Sequence, residues 1–225
     1  SECRQWSFSR ANSYLLPPMP QLTIGTITEI KNHENRVGLT PSGVKALAQD
    51  GHRVLVQRHA GKGAGFHDHE YVNAGAEIRF APESIVRDCD ILVKVKEPLG
   101  SEYHLLKLLH GKMLFTYLHL SGCEKDLTKK LLEERISAIA YETVKDEQGG
   151  LPLLRPMSEI AGVLALQYAG EYLQRKYLGR GNTLGEITGV SRTHVVVIGA
   201  GVVGVKAAMT AAGMGSRVTL FDIRE

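Results

Sequence analysis

Three residues among the first 120 of this 225-residue chain have side chains suited to work on a small charged molecule. Arg36 offers a planar fork of N–H donors, the shape that binds a carboxylate through two parallel hydrogen bonds. Lys96 closes an apolar run, so its ammonium points toward a cleft, where it would polarise a carbonyl or imine. Histidine is the residue type whose ordinary pKa lies closest to neutrality, so His119 is the choice for general acid or base. Each has a plainer reading: a solvated loop arginine, an ion pair of Lys96 with Glu97, and a histidine kept for packing.

A second constellation uses backbone rather than side chains. Residues 194–221 read as an apolar strand over 194–198, a turn containing Gly199, Gly201 and Gly204, an alanine-rich helix, and a second strand that ends at Asp222. That order is the setting of a dinucleotide-binding turn. Gly199 lets the chain leave the strand tightly, Gly201 lets backbone approach a pyrophosphate, and Gly204 lets the helix pack closely. The first N–H groups of the helix, on residues such as Val202 and Val203, lack intrahelical acceptors and face the anion along the helix dipole. Asp222 would accept from a ribose hydroxyl and repel a 2′-phosphate, which favours NAD over NADP. A structural glycine turn is one rival reading. A membrane helix over 194–215 is another, and Lys206 with the many glycines speaks against it.

Other clusters carry less. His59, His67 and His69 with Asp68 match no helical ligand spacing, so no metal is expected. Gly61, Gly63 and Gly65 lack a helix opening from the last glycine and read as turn geometry. Ser42 to Lys45 fits S-x-x-K without its companion motifs.

The elements that must hold these groups alternate short apolar runs with amphipathic stretches, which predicts an α/β fold of two Rossmann-like open parallel-sheet domains, the second truncated. Strands are expected over 22–27, 54–57, 91–95, 113–116 and 137–140. Thr40 caps a helix that begins with Pro41 and ends at Gly51, and further helices are expected over 68–74, 102–109 and 124–134. A loop with Gly149, Gly150, Pro152 and Pro156 precedes a helix over 158–178, begun by Ser158 and Glu159 and buried through Ile160, Val163, Leu164, Leu166 and Leu173. The expected domains are a flexible tail over 1–21, a substrate-side domain over 22–150, and a linker helix with the first half of a nucleotide-binding domain over 151–225. A chain that starts at Ser1 and stops shortly after the second strand of that half reads as a fragment, expected to be inactive or nearly so by itself. Arg36, Lys96 and His119 would each follow a strand and converge where open α/β sheets bind ligands.

A net charge of +3 comes from scattered basic residues, with no run that would mark a nucleic-acid partner. Cys3, Cys89 and Cys123 are odd in number and widely spaced, which fits a reducing, cytoplasmic setting better than a disulfide framework. The first 20 residues lack the apolar core of a secretory signal, though a short organelle-targeting remnant is an open reading.

With those positions located, long ordered runs match a known family. They are Glu29 to Asn32, Glu34 to Val37, Leu39-Thr40-Pro41, Gly51-His52, Ala74-Gly75-Ala76, Lys94 to Pro98, Leu114 to Leu120, Tyr141 to Val144, Leu151 to Leu154 and Pro156 to Glu159. From Leu22 onward the chain resembles the alanine dehydrogenases, in the family that also holds the NAD-binding subunit of proton-translocating transhydrogenase. The resemblance implies reversible NAD-linked deamination of L-alanine to pyruvate and ammonia, without a membrane partner, by a homo-oligomer, typically a hexamer. It implies that Arg36 and Lys96 bind the substrate carboxylate and carbonyl, that His119 is the acid/base, and that Ser158 touches the cofactor phosphates. The linker over 179–190 departs from the family in carrying Glu186, Ile187 and Thr188 where relatives are richer in glycine. The transhydrogenase subunit and a non-catalytic NAD-sensing module are the alternative functions, and the Lys96-Glu97-Pro98 and Tyr117-Leu118-His119 runs favour deamination.

Overall fold

The computed structural model describes residues 20–122 and 125–224 and divides between Ile139 and Ala140 into two compact units. Most of the expected tail, together with Cys3, Cys123 and the first residue of the helix expected at Glu124, lies outside the described residues. In chain order the first unit is built from β1 (Thr23–Thr26), α1 (Pro41–Gln49), β2 (Arg53–Gln57), α2 (Asp68–Asn73), β3 (Glu77–Arg79), α3 (Pro82–Asp88), β4 (Ile91–Val93), α4 (Tyr103–Leu106), β5 (Met113–Thr116), α5 (Lys125–Glu133) and β6 (Ser137–Ala140). The second contains α6 (Arg155–Tyr172), β7 (His194–Ile198), α7 (Val202–Gly213) and β8 (Arg217–Phe221).

The first sheet has the order β3-β2-β1-β4-β5-β6. Its β1–β2, β2–β3, β1–β4 and β4–β5 pairs are all parallel. The chain builds outward from β1 to β3, then crosses back to lay β4 against the other side of β1. That reversal leaves a crevice at the C-terminal ends of β1 and β4, because the connections on either side leave in opposite directions. Val54, Leu55 and Val56 are fully buried, as expected of a parallel strand covered on both faces, and each contributes about 1.5–3 kcal/mol by leaving water. Gly25 lets α3 lie directly on β1: a Cβ there would stand 2.6 Å from the Ile85 side chain. Beside it the buried Cys89 thiol has its pKa pushed up to about 12 by burial.

α1 starts as its sequence predicts, with the Thr40 hydroxyl accepting from the Gly43 N–H at 3.2 Å and Pro41 in the first turn. Three expectations need correction. β4 stops at Val93 rather than Val95: the Lys94 N–H and the Val95 carbonyl still bond to Phe115 and Tyr117, but the Glu29 carboxylate takes the Val95 N–H. The helix expected over 102–109 is only α4 flanked by two 3-10 turns. The long helix α6 begins at Arg155, so Ser158 lies inside it, donating its N–H to the Leu154 carbonyl, and it ends at Tyr172.

The buried face of α6 also differs from the one its apolar spacing suggests. Gly162 and Leu166 are buried while Ile160 is half exposed. A Cβ on Gly162 would come within 2.6 Å of the Val203 carbonyl and 3.0 Å of the Ala207 nitrogen, so backbone-to-backbone contact with α7 fixes which side of α6 faces inward. Leu166, Leu184, Ala207 and Ala211 form the core there, over the parallel pair β7–β8. Among the described residues no helix is long and apolar enough to cross a membrane.

Candidate active site

The loop leaving β1 carries Arg36 and returns onto the ends of β1 and β4. Its contact point is Gly38, where a Cβ would meet the Val93 carbonyl at 2.7 Å and the Thr26 hydroxyl at 2.9 Å. Arg36 projects at the rim, and its fork is taken by Glu34 through Nε–Oε1 at 2.8 Å and Nη2–Oε2 at 2.5 Å. The guanidinium holds the Glu34 carboxyl below its ordinary range. A substrate carboxylate would exchange with Glu34 on this fork or share it.

Lys96 follows β4 and His119 follows β5, and the structure brings them together with Lys96 Nζ 3.5 Å from His119 Nε2. The reading of Lys96 as the ion-pair partner of Glu97 is replaced: Glu97 pairs with Lys31 of the β1 loop. Burial is the largest single influence on the Glu97 carboxyl and raises its pKa, but the Lys31 hydrogen bond and charge, a backbone hydrogen bond and the nearby His119 together outweigh it and lower the pKa. The Tyr117 and His119 rings lie nearly parallel with centroids 6.0 Å apart. His119 holds a backbone φ of +46°, in the left-handed region that a non-glycine residue enters only at a cost.

Beneath this exposed rim is a buried group that the residue-by-residue reading missed. Lys94, 1% exposed, lies between Glu29 at 3.3 Å and Glu102 at 2.8 Å. Burial pushes the Glu29 carboxyl up and Lys94 pulls it back. The only signal available in the sequence was a lysine inside an otherwise apolar run, which reads as a strand-end cation. His59, Asp68, His67 and His69 do not converge as ligands: His59 Nδ1 lies 3.2 Å from Asp68, and the other two rings stack on each other. Among the described residues no group of three or more His, Cys, Asp or Glu side chains could hold a metal ion.

In the second unit the glycine turn has the geometry of an anion cradle. Gly199 takes φ +100°, which turns the chain out of β7. A Cβ on Gly201 would meet no atom within 4 Å, leaving open space in front of the first turn of α7. On Gly204 a Cβ would collide with the Gly199 carbonyl at 1.7 Å, so this glycine is what lets the helix close onto the turn. The Asp222 carboxylate, at the end of β8, accepts from the Ala200 N–H at 2.5 Å and from the Arg224 side chain at 2.7 Å. Arg224 first, and Ala200 with it, hold that carboxyl far below its ordinary range, so it is an anion at neutral pH. Ser158, Gly199, Gly201, Val202 and Val203 line one cleft of about 640 Å³. Open space over Gly201, helix N–H groups and a fixed carboxylate together fit a dinucleotide.

Comparison with known proteins bears on both groups. A family described as alanine dehydrogenase/PNT, N-terminal domain, matches residues 25–161, and its C-terminal counterpart matches residues 165–225. An alanine dehydrogenase of Methanococcus maripaludis is 48% identical over 202 residues, which are 90% of this chain and 53% of that protein. A solved L-alanine dehydrogenase is similar with TM-score 0.82 and 46% identity, over 90% of this chain and 55% of the other. A transhydrogenase from Sinorhizobium meliloti shares the fold, with TM-score 0.74 at 23% identity over 90% of this chain and 57% of that one. The chain spans about half the length of the curated relatives it matches.

Proposed function

The chain belongs to the alanine dehydrogenase/PNT family, and on that premise we propose that the full-length protein is an NAD-dependent L-alanine dehydrogenase. The observation that carries the reading is the approach of Lys96 to His119 at the mouth of the sheet's reversal, with Arg36 on the adjoining loop. The reaction is L-alanine, NAD⁺ and water giving pyruvate, ammonium, NADH and one proton. NAD, when bound, would supply the hydride acceptor for oxidation at the substrate α-carbon. The glycine turn, the Val202 and Val203 N–H groups, Ser158 and Asp222 would hold that cofactor, and Asp222 favours NAD over its 2′-phosphorylated form.

Arg36 binds the substrate carboxylate and so fixes which face of the α-carbon is presented. His119 takes a proton from the substrate amine and releases it to solvent, then takes one from the water that adds to the imine and returns it to the nitrogen that departs as ammonia. Lys96, as a cation, stabilises the oxygen that develops on the former α-carbon as ammonia leaves. The Arg36 fork is already engaged with a carboxylate, Glu34, in the same bidentate geometry that a substrate would use.

The test is NAD reduction by the full-length protein with L-alanine against other amino acids. Strong alanine-dependent NADH formation that falls about 10²- to 10⁴-fold in His119→Ala, with NAD affinity retained, is the expected result. NAD binding without turnover of any amino acid would instead favour hydride transfer between nucleotides or an NAD-sensing role.

A further inference from the structure

The buried cluster of Glu29, Lys94 and Glu102 spends its hydrogen bonds on one short stretch of backbone. Glu29 accepts from the Val95 N–H at 2.6 Å through Oε1 and from the Lys96 N–H at 3.3 Å through Oε2. Glu102 accepts from the Leu99 N–H at 3.0 Å through Oε2. The two carboxylates then meet on the Lys94 ammonium, at 3.3 Å and 2.8 Å. β4 has ended at Val93, so these amides are held by side chains where a ladder would otherwise hold them.

We propose that Glu29 and Glu102 are positioning residues that clamp the segment from Lys94 to Leu99 and thereby fix the Lys96 ammonium against His119. The proposal rests on the reading that Lys96 and His119 act on substrate. The physical case is one of charge and geometry. Carboxylates bind backbone N–H more strongly than neutral acceptors do, and the lysine is reached by the second oxygen of Glu102 and by the Glu29 oxygen that also accepts from the Lys96 N–H. Lys94 cancels the repulsion of two buried carboxylates that would otherwise push the segment open. A bound backbone matters because a displacement of about 1 Å at a reacting group costs on the order of 100-fold in rate.

Glu29→Gln in the full-length protein is the first variant. It preserves size and one acceptor, but its NH₂ group faces two donors, the Lys96 N–H and the Lys94 ammonium. Hydrogen exchange at single-residue resolution by fragmentation mass spectrometry should show the Val95 and Lys96 amides exchanging at least about tenfold faster. Under the same conditions kcat/KM for L-alanine should fall roughly 10- to 100-fold, while the dissociation constant for NAD stays unchanged. Glu102→Gln should move the Leu99 amide instead, with the same kinetic direction, and it carries the test if Glu29→Gln does not fold. Unchanged exchange at these amides, or lost protection with kcat/KM intact, overturns the proposal. If the unmodified protein shows no alanine-dependent NADH formation, the functional reading fails by that result alone. The rate at which an amine-acylating reagent labels Lys96, with and without Glu29, then judges the clamp: equal rates reject it, and altered rates support it.

Discussion

On the function proposed above, the two units hold a charged small molecule in opposite ways. In the first, the side chains proposed to act, Lys96 and His119, meet at the rim while the buried Glu29, Lys94 and Glu102 bind the chain beneath. In the second, the binding groups are backbone N–H donors, and what positions them is the absence of side chains at Gly199, Gly201 and Gly204. A site of the first kind fails when a charge loses its partner, and one of the second kind fails when a methyl group is added. The two should therefore respond to different mutations by different mechanisms.

The sharpest break comes from Lys94→Met, which keeps the volume and removes the cation between two buried carboxylates. We expect a loss of about 3–5 kcal/mol in denaturant unfolding of the full-length protein. Gly204→Ala should cost less, about 1–3 kcal/mol through overpacking against the Gly199 carbonyl, and should abolish measurable NAD binding because α7 must move. An unaltered NAD affinity in that variant would remove the distinction drawn between the units. Asp222→Ala should release the Ala200 N–H, weaken NAD by roughly tenfold and leave NADP comparatively unaffected, as read by fluorescence titration of both nucleotides.

The smallest effect belongs to the rim of the first unit. The Arg36 side chain is 43% exposed, which screens its pairing with the largely covered Glu34 side chain, so Glu34→Gln should change stability by no more than about 1 kcal/mol near neutral pH. The pairing lowers the folded pKa of Glu34 beneath its ordinary 4.5, so its contribution is present above that value and is lost as pH falls through the folded pKa. Unfolding curves of the two proteins should thus converge in acid. A difference that grew in acid would mean that Glu34 is not held by Arg36.

Locally encoded features were legible in the sequence. The Thr40–Pro41 start of α1 and the β7 turn–α7 unit follow from spacing within a few residues, and both appear where the spacing puts them. Strands β1, β2, β5 and β6 were recognisable as short apolar runs. β3 was not, because it is three residues long with charge at both ends, Glu77 and Arg79. α3 carries a proline start but was hidden beside it. The clamp was invisible for another reason: Glu29 lies 65 residues from Lys94, and no periodicity connects a loop glutamate to a lysine in an apolar run. The start of α6 was misjudged because Ser158 and Glu159 resemble a cap, whereas Pro156 in the first turn marked the true beginning.

The backbone of His119 joins the chemistry of the rim to the durability of the fold. A left-handed φ at a histidine costs on the order of 1–3 kcal/mol, a cost that glycine would not bear. Selection for heat tolerance alone would therefore drive this position away from histidine, toward a hardier protein without the imidazole proposed to move protons. Retaining histidine there makes position 119 a place where endurance and reactivity compete, and a library sorted first by melting temperature and then by turnover should rank its glycine variant near the top of one order and the bottom of the other.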